Sequence, residues 1–287
     1  MVDQIEKSII PIKDHGGHGS LITFVHANGY PPGCYEPLIT RLLNQHKVIS
    51  IIQRPLWKNS KPEDIDDWYI LSEDLIHFLD QQGIKSTIAI GHSLGAVVSL
   101  RAAIKYPDRF KALIILDPVI FPPILIRLIR MFRNKKLLYR FHPLIKAASR
   151  RRINFSDEDQ IFQSYRTKKI FNYLDDNYLH AYIQGIIKKD LHGNIKLSYN
   201  PEWEMRIYAT GIWNDMDIWE GIATLKIPVL VIRGKESNTF FLYTARFLKT
   251  KLPFSTVINL NRSTHLVPLE KPNKVGSIIM KFLEENL

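Results

Sequence analysis

Thr87-Ile88-Ala89-Ile90-Gly91-His92-Ser93-Leu94-Gly95 is the stretch on which the fold turns. Residues 87–90 form a short apolar run of strand length, and residues 94–105 read as a helix. Gly91-His92-Ser93-Leu94-Gly95 between them fits G-x-S-x-G. A serine at such a junction sits on a sharp, strained turn that lifts its hydroxyl above the sheet. Side chains two places before and after it would clash with the neighbouring strand and helix, so glycine suits positions 91 and 95. A helix starting at Leu94 also aims its first N–H groups at any negative charge that develops there. Ser93 is therefore the candidate nucleophile.

Outward from this junction the chain keeps the same rhythm. Residues 4–13 read as a strand, and His15-Gly16-Gly17-His18-Gly19 as a turn, because repeated glycines accept positive φ. His15 and His18 have no neighbouring partner for a metal. Residues 21–25 form a buried strand, 26–32 a loop, 35–44 a helix and 47–52 another strand. Residues 68–79 carry Ile70, Leu71, Leu75, Ile76 and Leu79 at helical spacing, and 112–116 are again a strand. Alternating strands and helices imply a mostly parallel sheet covered on both faces. The alternation stops after Asp117 and resumes with a strand at 228–232, a helix at 240–251, a strand at 255–260 and a helix at 274–285. Between them about a hundred residues read as helical without a convincing strand, too many for a structureless loop. The expected division is a core of residues 1–120 and 227–287 and a helical cap of residues 121–226.

A serine hydroxyl is a weak nucleophile until a base takes its proton. His265 in Ser263-Thr264-His265-Leu266-Val267-Pro268 follows the strand at 255–260, in the last loop on the sheet's carboxyl edge. The chain order serine, acid, histidine calls for the base there. His92 should point away from the catalytic face, and His26 should structure its own loop. Acyl transfer also needs N–H donors where the carbonyl oxygen becomes an oxyanion. Leu94 supplies one, and by position Asn28 supplies the other.

The chain resembles an α/β-hydrolase from about Leu21 to its C-terminus. His26-Ala27-Asn28-Gly29, Gly91-His92-Ser93-Leu94-Gly95, Leu116-Asp117-Pro118 and His265-Leu266-Val267-Pro268 carry the likeness. Arg54-Pro55-Leu56-Trp57 and Pro201-Glu202-Trp203-Glu204 resemble a bacterial subgroup of capped hydrolases. The resemblance implies an eight-stranded sheet, a helical cap between strands six and seven, and no cofactor or metal. Similar proteins usually carry the triad's acid after strand seven, here within Arg233-Gly234-Lys235-Glu236-Ser237-Asn238. The position for aspartate holds Asn238, whose amide cannot supply the charge. Asp117, at the end of the strand after the nucleophile helix, is the favoured acid, and Glu236 is the alternative.

Bulk properties limit the remaining choices. The 287 residues are 45% hydrophobic and 23% charged, ordinary for a globular chain with a sizeable core. A single cysteine, Cys34, excludes an internal disulfide and fits a reducing compartment. The first eleven residues include Asp3, Glu6 and Lys7 and so lack a secretory apolar region. No apolar run reaches the roughly 18 residues needed to span a bilayer, and a cytoplasmic location is the expectation. The net charge of +11 is concentrated. Ten basic residues and no acid lie between Phe121 and Arg152. No nucleic-acid motif accompanies them, so they are expected as a solvated face, with steering of an anionic substrate or peripheral membrane contact as alternatives. In the cap's first helix Ile124, Leu125, Leu128, Ile129 and Phe132 should form an apolar side, opposite Arg127, Arg130 and Arg133. The aromatic Phe162, Tyr165, Phe171, Tyr173, Trp203, Tyr208 and Trp213 should pack cap on core and line an apolar acyl pocket.

The expected function is hydrolysis of a carboxylic ester or thioester of an apolar acyl group through an acyl-serine. Carbon–carbon hydrolysis of a diketone by the same residues is the alternative enzyme reading, separable by comparing p-nitrophenyl esters with a ring-cleavage diketone. Epoxide hydrolases and haloalkane dehalogenases resemble this fold but carry aspartate where Ser93 stands. A non-catalytic binding protein is the alternative from another class, and fluorophosphonate labelling of Ser93 would exclude it. The oligomeric state is open.

Overall fold

The computed structural model describes residues 9–131, 142–190, 193–211 and 215–287. Seven strands form the main sheet: β1 (Ile12–Gly16), β2 (Ser20–Val25), β3 (His46–Ile51), β4 (Thr87–His92), β5 (Phe110–Leu116), β9 (Val229–Gly234) and β10 (Thr256–Leu260). Their spatial order is β1-β3-β2-β4-β5-β9-β10, with only β1 antiparallel to its neighbour. The sheet is thus mostly parallel, with seven strands among the described residues where the resemblance implied eight. Part of the first expected strand, residues 4–8, lies outside the described residues. The edge strand instead runs to Gly16 and pairs with β3 across a register shift at Asp14 to Gly16. It is largely exposed, so no apolar alternation marks it in sequence.

Alternation along the inner strands builds two apolar layers, because successive strand side chains point to opposite faces. Ile88, Ile90, Ile114, Leu230 and Ile232 pack on one face with Leu38, Ile39, Val275 and Ile279. Ala89, Leu113, Ile115, Val229 and Val231 pack on the other with Leu71, Leu75, Val97, Leu100, Ala245 and Leu248. The covering helices are α1 (Glu36–Ile39) and α12 (Pro272–Asn286) on the first face, and α2 (Tyr69–Gln81), α3 (Leu94–Lys105) and α10 (Leu242–Lys251) on the second. A four-residue helix, α11 (Val267–Glu270), precedes α12.

Between β5 and β9 the described chain adds no strand to this sheet. It forms α4 (Pro123–Met131), α5 (Pro143–Ser149), α6 (Glu158–Arg166), α7 (Asp176–Ile186), α8 (Pro201–Thr210) and α9 (Met216–Gly221). A small antiparallel sheet of β6 (Asn154–Phe155), β8 (Ile195–Leu197) and β7 (Ile187–Lys189) interrupts them. The expectation of helices alone is corrected here. Strands of two or three residues are too short to show a period, and pairing β6 to β8 spans some forty residues of chain.

The apolar side expected on α4 is also corrected. Among the described side chains of this helix, which exclude that of Ile129, Ile126 is fully buried, whereas Ile124 and Leu128 are 61% and 46% exposed and Met131 is 77% exposed. Arg127 and Arg130 are exposed beside them. Phe132, Arg133, Lys135, Lys136, Arg140 and Trp213 lie outside the described residues. Among the aromatics between β5 and β9, Tyr165 and Phe171 join the layer containing Leu38, and Trp203 joins the other.

Candidate active site

Ser93 occupies the turn between β4 and α3 with φ 56° and ψ −114°. A non-glycine residue rarely takes positive φ, and the cost is held by the packing around it. That packing is backbone against backbone. A Cβ on Gly91 would come within 2.3 Å of the Gly95 carbonyl oxygen, and one on Gly95 within 2.0 Å of the Val25 carbonyl oxygen. Two glycines therefore let α3 start directly against β2 and β4, with Ser93 raised between them.

His265 lies in the loop from β10 to α11. Its Nε2 is 2.8 Å from Ser93 Oγ and its Nδ1 is 2.8 Å from Asp117 Oδ1. A carboxylate only accepts, so Nδ1 carries the proton and Nε2 offers its lone pair to the serine hydroxyl. Asp117 is fully buried at the end of β5, with φ 39°. Its Oδ1 also accepts from Ser237 Oγ at 2.6 Å, and its Oδ2 accepts from the Gly234 N–H at 2.8 Å. The β9 loop thus holds the carboxylate without furnishing one.

The alternative acid stands elsewhere. The exposed Glu236 accepts from the Tyr173 hydroxyl at 2.6 Å, and the Asn238 side chain meets Thr239 Oγ1 at 3.4 Å. Neither joins the Ser93, His265 and Asp117 chain. Ser50, His15 and Glu36 repeat the same residue set, with His15 2.8 Å from Ser50 Oγ and 3.2 Å from Glu36 Oε1. Ser50 is wholly buried within β3, where no substrate could reach it.

His92 does not point away, as its position in sequence suggested. Its ring lies 5.1 Å from that of His265, and its Nε2 donates to the His265 carbonyl oxygen at 2.9 Å. Its Nδ1 then accepts from the Tyr35 hydroxyl at 2.8 Å, and that hydroxyl accepts from the Ala27 N–H at 3.2 Å. Burial, reinforced by the neighbouring His265, holds the His92 pKa well below the usual histidine range. It ties the His265 loop to the loop after β2 as a neutral ring.

That loop carries the expected second oxyanion donor. Ala27 and Tyr30 close a turn through a 3.2 Å backbone bond, with Gly29 at φ 78°. The Asn28 side chain is committed to the segment between β5 and β9, its Oδ1 accepting from the Tyr199 hydroxyl at 2.8 Å and its Nδ2 donating to the Glu204 carbonyl oxygen at 3.3 Å. Any donation by Asn28 toward Ser93 must therefore come from its main chain. Sequence reasoning missed Ser237, Tyr35 and Tyr199, because hydroxyls that act across the fold leave no local pattern.

His26 structures the same loop, as expected. Its Nδ1 lies 2.9 Å from the Ala27 carbonyl oxygen, and its Nε2 accepts from the Gln53 N–H at 3.2 Å. Burial pushes its pKa down from 6.5 to about 4, although the Ala27 carbonyl favours the charged form. The unfolded chain binds a proton near pH 6.5 that the folded chain refuses until about pH 4. Stability is therefore intact above that window and falls as the pH drops through it, by about 3 kcal/mol for this ring. In urea unfolding at stepped pH, His26→Gln is expected to lose less stability than the wild type between these limits. Equal losses in the two proteins would assign the acid sensitivity to other groups.

A family model described as alpha/beta hydrolase fold matches residues 15–272. The chain belongs to the α/β-hydrolase fold family. Among solved structures, this α/β-hydrolase is similar to E-2-(acetamidomethylene)succinate hydrolase, with a TM-score of 0.77, 19% identity, and 96% and 95% of the two chains covered. At that identity the likeness is one of fold. Ethanol acetyltransferase 1 of Hanseniaspora uvarum is 28% identical over 228 residues, which are 74% of this chain and 64% of the relative. A 2-(acetamidomethylene)succinate hydrolase of Mesorhizobium japonicum is 32% identical over 101 residues, 35% of this chain and 36% of the relative. The chain thus spans less than two thirds of the length of either relative. No described helix is long and apolar enough to cross a membrane, and no group of metal-ligating side chains occurs among the described residues.

Proposed function

We propose that this α/β-hydrolase is a serine hydrolase that cleaves a carboxylic ester or thioester of an apolar acyl group through an acyl-serine intermediate. A core of residues 1–120 and 227–287 carries the chemistry, and a cap of residues 121–226 shapes the substrate's site. The observation that carries this reading is His265 standing 2.8 Å from both Ser93 and the buried Asp117.

Ser93 Oγ attacks the carbonyl carbon while His265 Nε2 takes the hydroxyl proton, and Asp117 stabilises the imidazolium. The carbonyl oxygen becomes an oxyanion facing the main-chain N–H groups of Leu94 and Asn28. Collapse breaks the bond to the leaving alcohol or thiol, which departs with the proton from His265. Water then attacks the acyl-serine, gives its proton to His265 and releases the acid, and the proton returns to Ser93. An alcohol in place of water would give acyl transfer, the activity in the name of the Hanseniaspora uvarum relative. The exposed Arg127 and Arg130 on α4 suit a substrate that also carries an anionic group.

With imidazole as the general base, kcat/KM for a p-nitrophenyl ester should fall on acidification. His92 is held neutral by burial, so it does not contribute this limb. A profile flat from about pH 5 to 9, with chemistry limiting the rate, would assign the base elsewhere. Fluorophosphonate labelling that is present in the wild type and absent in Ser93→Ala tests the nucleophile directly.

A further inference from the structure

Pro201-Glu202-Trp203-Glu204 takes no part in the proton path, yet it opens α8, a cap helix bonded to core residues along its length. Asn200 caps α8 by accepting from the Glu202 N–H. Along the helix, the Ile207 carbonyl accepts from Trp68 Nε1 at 3.1 Å, and Arg206 Nε donates to the Ile65 carbonyl at 2.7 Å. At its start the helix meets the oxyanion loop. Tyr199, just before Asn200, and the Glu204 carbonyl, in the first turn, satisfy both polar ends of the Asn28 side chain at 2.8 and 3.3 Å. All three residues are buried. Glu204 is held in turn by Arg151 at 3.0 Å and by the Tyr208 hydroxyl at 3.3 Å.

We infer that Tyr199 is a positioning residue for the oxyanion hole, contributed by the cap to a site whose other members belong to the core. This role rests on the acyl-serine reading, in which the Asn28 N–H faces the oxyanion. The Asn28 amide nitrogen and side chain share one Cα, so fixing the side chain fixes where the N–H points. The turn needs that restraint. Gly29 gives it little stiffness of its own, and the 3.2 Å bond between Ala27 and Tyr30 closes its ends without orienting its middle. A donor that must meet charge present only in the transition state contributes to kcat in proportion to its preorganisation. Ground-state binding, and hence KM, should feel it little.

The experiment is a double-mutant cycle of Tyr199→Phe and Asn28→Ala, each of which keeps the Asn28 main chain. Steady-state hydrolysis of a p-nitrophenyl ester is read with the inhibition constant of a trifluoromethyl ketone, which forms an anionic adduct with the serine. Each single variant is expected to lose about tenfold in kcat, the scale of one anchoring hydrogen bond, with KM within about twofold. Inhibitor affinity should fall by the same factor as kcat/KM, the acid limb of the pH profile should stay in place, and melting temperatures should drop by a few degrees as buried partners lose a hydrogen bond, with both variants still folded. The double variant should be no worse than Asn28→Ala, because both changes cut one connection. Additive losses, an unchanged kcat, or a loss confined to KM would overturn the role. A wild-type chain that neither takes up a fluorophosphonate nor turns over any ester would overturn the acyl-serine reading itself. A labelled wild type with Tyr199→Phe indistinguishable from it would overturn this inference alone.

Discussion

Ser93→Ala is expected to remove ester hydrolysis by about four to six orders of magnitude, the scale seen when a serine nucleophile is deleted from an enzyme whose residues act as a unit. The hydroxyl's hydrogen bond runs to His265 Nε2, and nothing in the apolar layers depends on it. The folded state should therefore survive, with near-wild-type circular dichroism and a melting temperature within a few degrees. Ser93→Gly supplies a second measurement on the same site. Ser93 holds φ 56°, which glycine adopts without the Cβ penalty, so the glycine variant should be more stable than the alanine variant by about 1 kcal/mol. Activity above about a tenth of wild type in either variant would remove Ser93 from the nucleophile's role.

Asp117→Asn is expected to lower kcat by roughly three to four orders of magnitude, as replacing the orienting carboxylate does in serine proteases. An amide at this position can donate to His265 Nδ1, which turns the imidazole to the tautomer whose Nε2 carries the proton and cannot accept from Ser93. The same change disturbs Ser237 and Gly234, which both donate to the Asp117 carboxylate, so some loss of stability should accompany the kinetic one. Glu236→Gln should cost tenfold or less, about 1.4 kcal/mol at most in the barrier, because Glu236 is exposed and bonded to Tyr173. The two variants measured side by side, with melting curves, decide the matter. A crippled Glu236→Gln beside a nearly silent Asp117→Asn would move the acid to the β9 loop and leave Ser93 and His265 as they are.

These two experiments weigh residues that were unequally legible. Ser93 could be named because its signal is local: an apolar strand, five residues with two glycines, and a helix follow one another in sequence. His265 could be named from chain order and its place after the last strand. For the acid the sequence favoured Asp117 but kept Glu236 as an alternative. Asp117 and Glu236 both follow strands that end on the same edge, and the sequence holds no record of which loop faces His265. The placement comes from β5 lying beside β9, which brings Ser237 and Gly234 round the Asp117 carboxylate next to His265 and leaves Glu236 outside.

By itself the sequence determined the alternation of strands and helices, the interruption after Asp117 and the strand-to-helix junction at Ser93, since each rests on periodicity or on steric demands between near neighbours. The tertiary structure alone decided the tilted contact of the His92 and His265 rings, the small sheet of β6, β7 and β8, the outward face of α4, and the grip of Tyr199 on Asn28. Those depend on groups far apart in the chain, 171 residues for Tyr199 and Asn28. Hydrogen bonds of that kind are set by distance in space, and a local pattern of residue types carries no information about them.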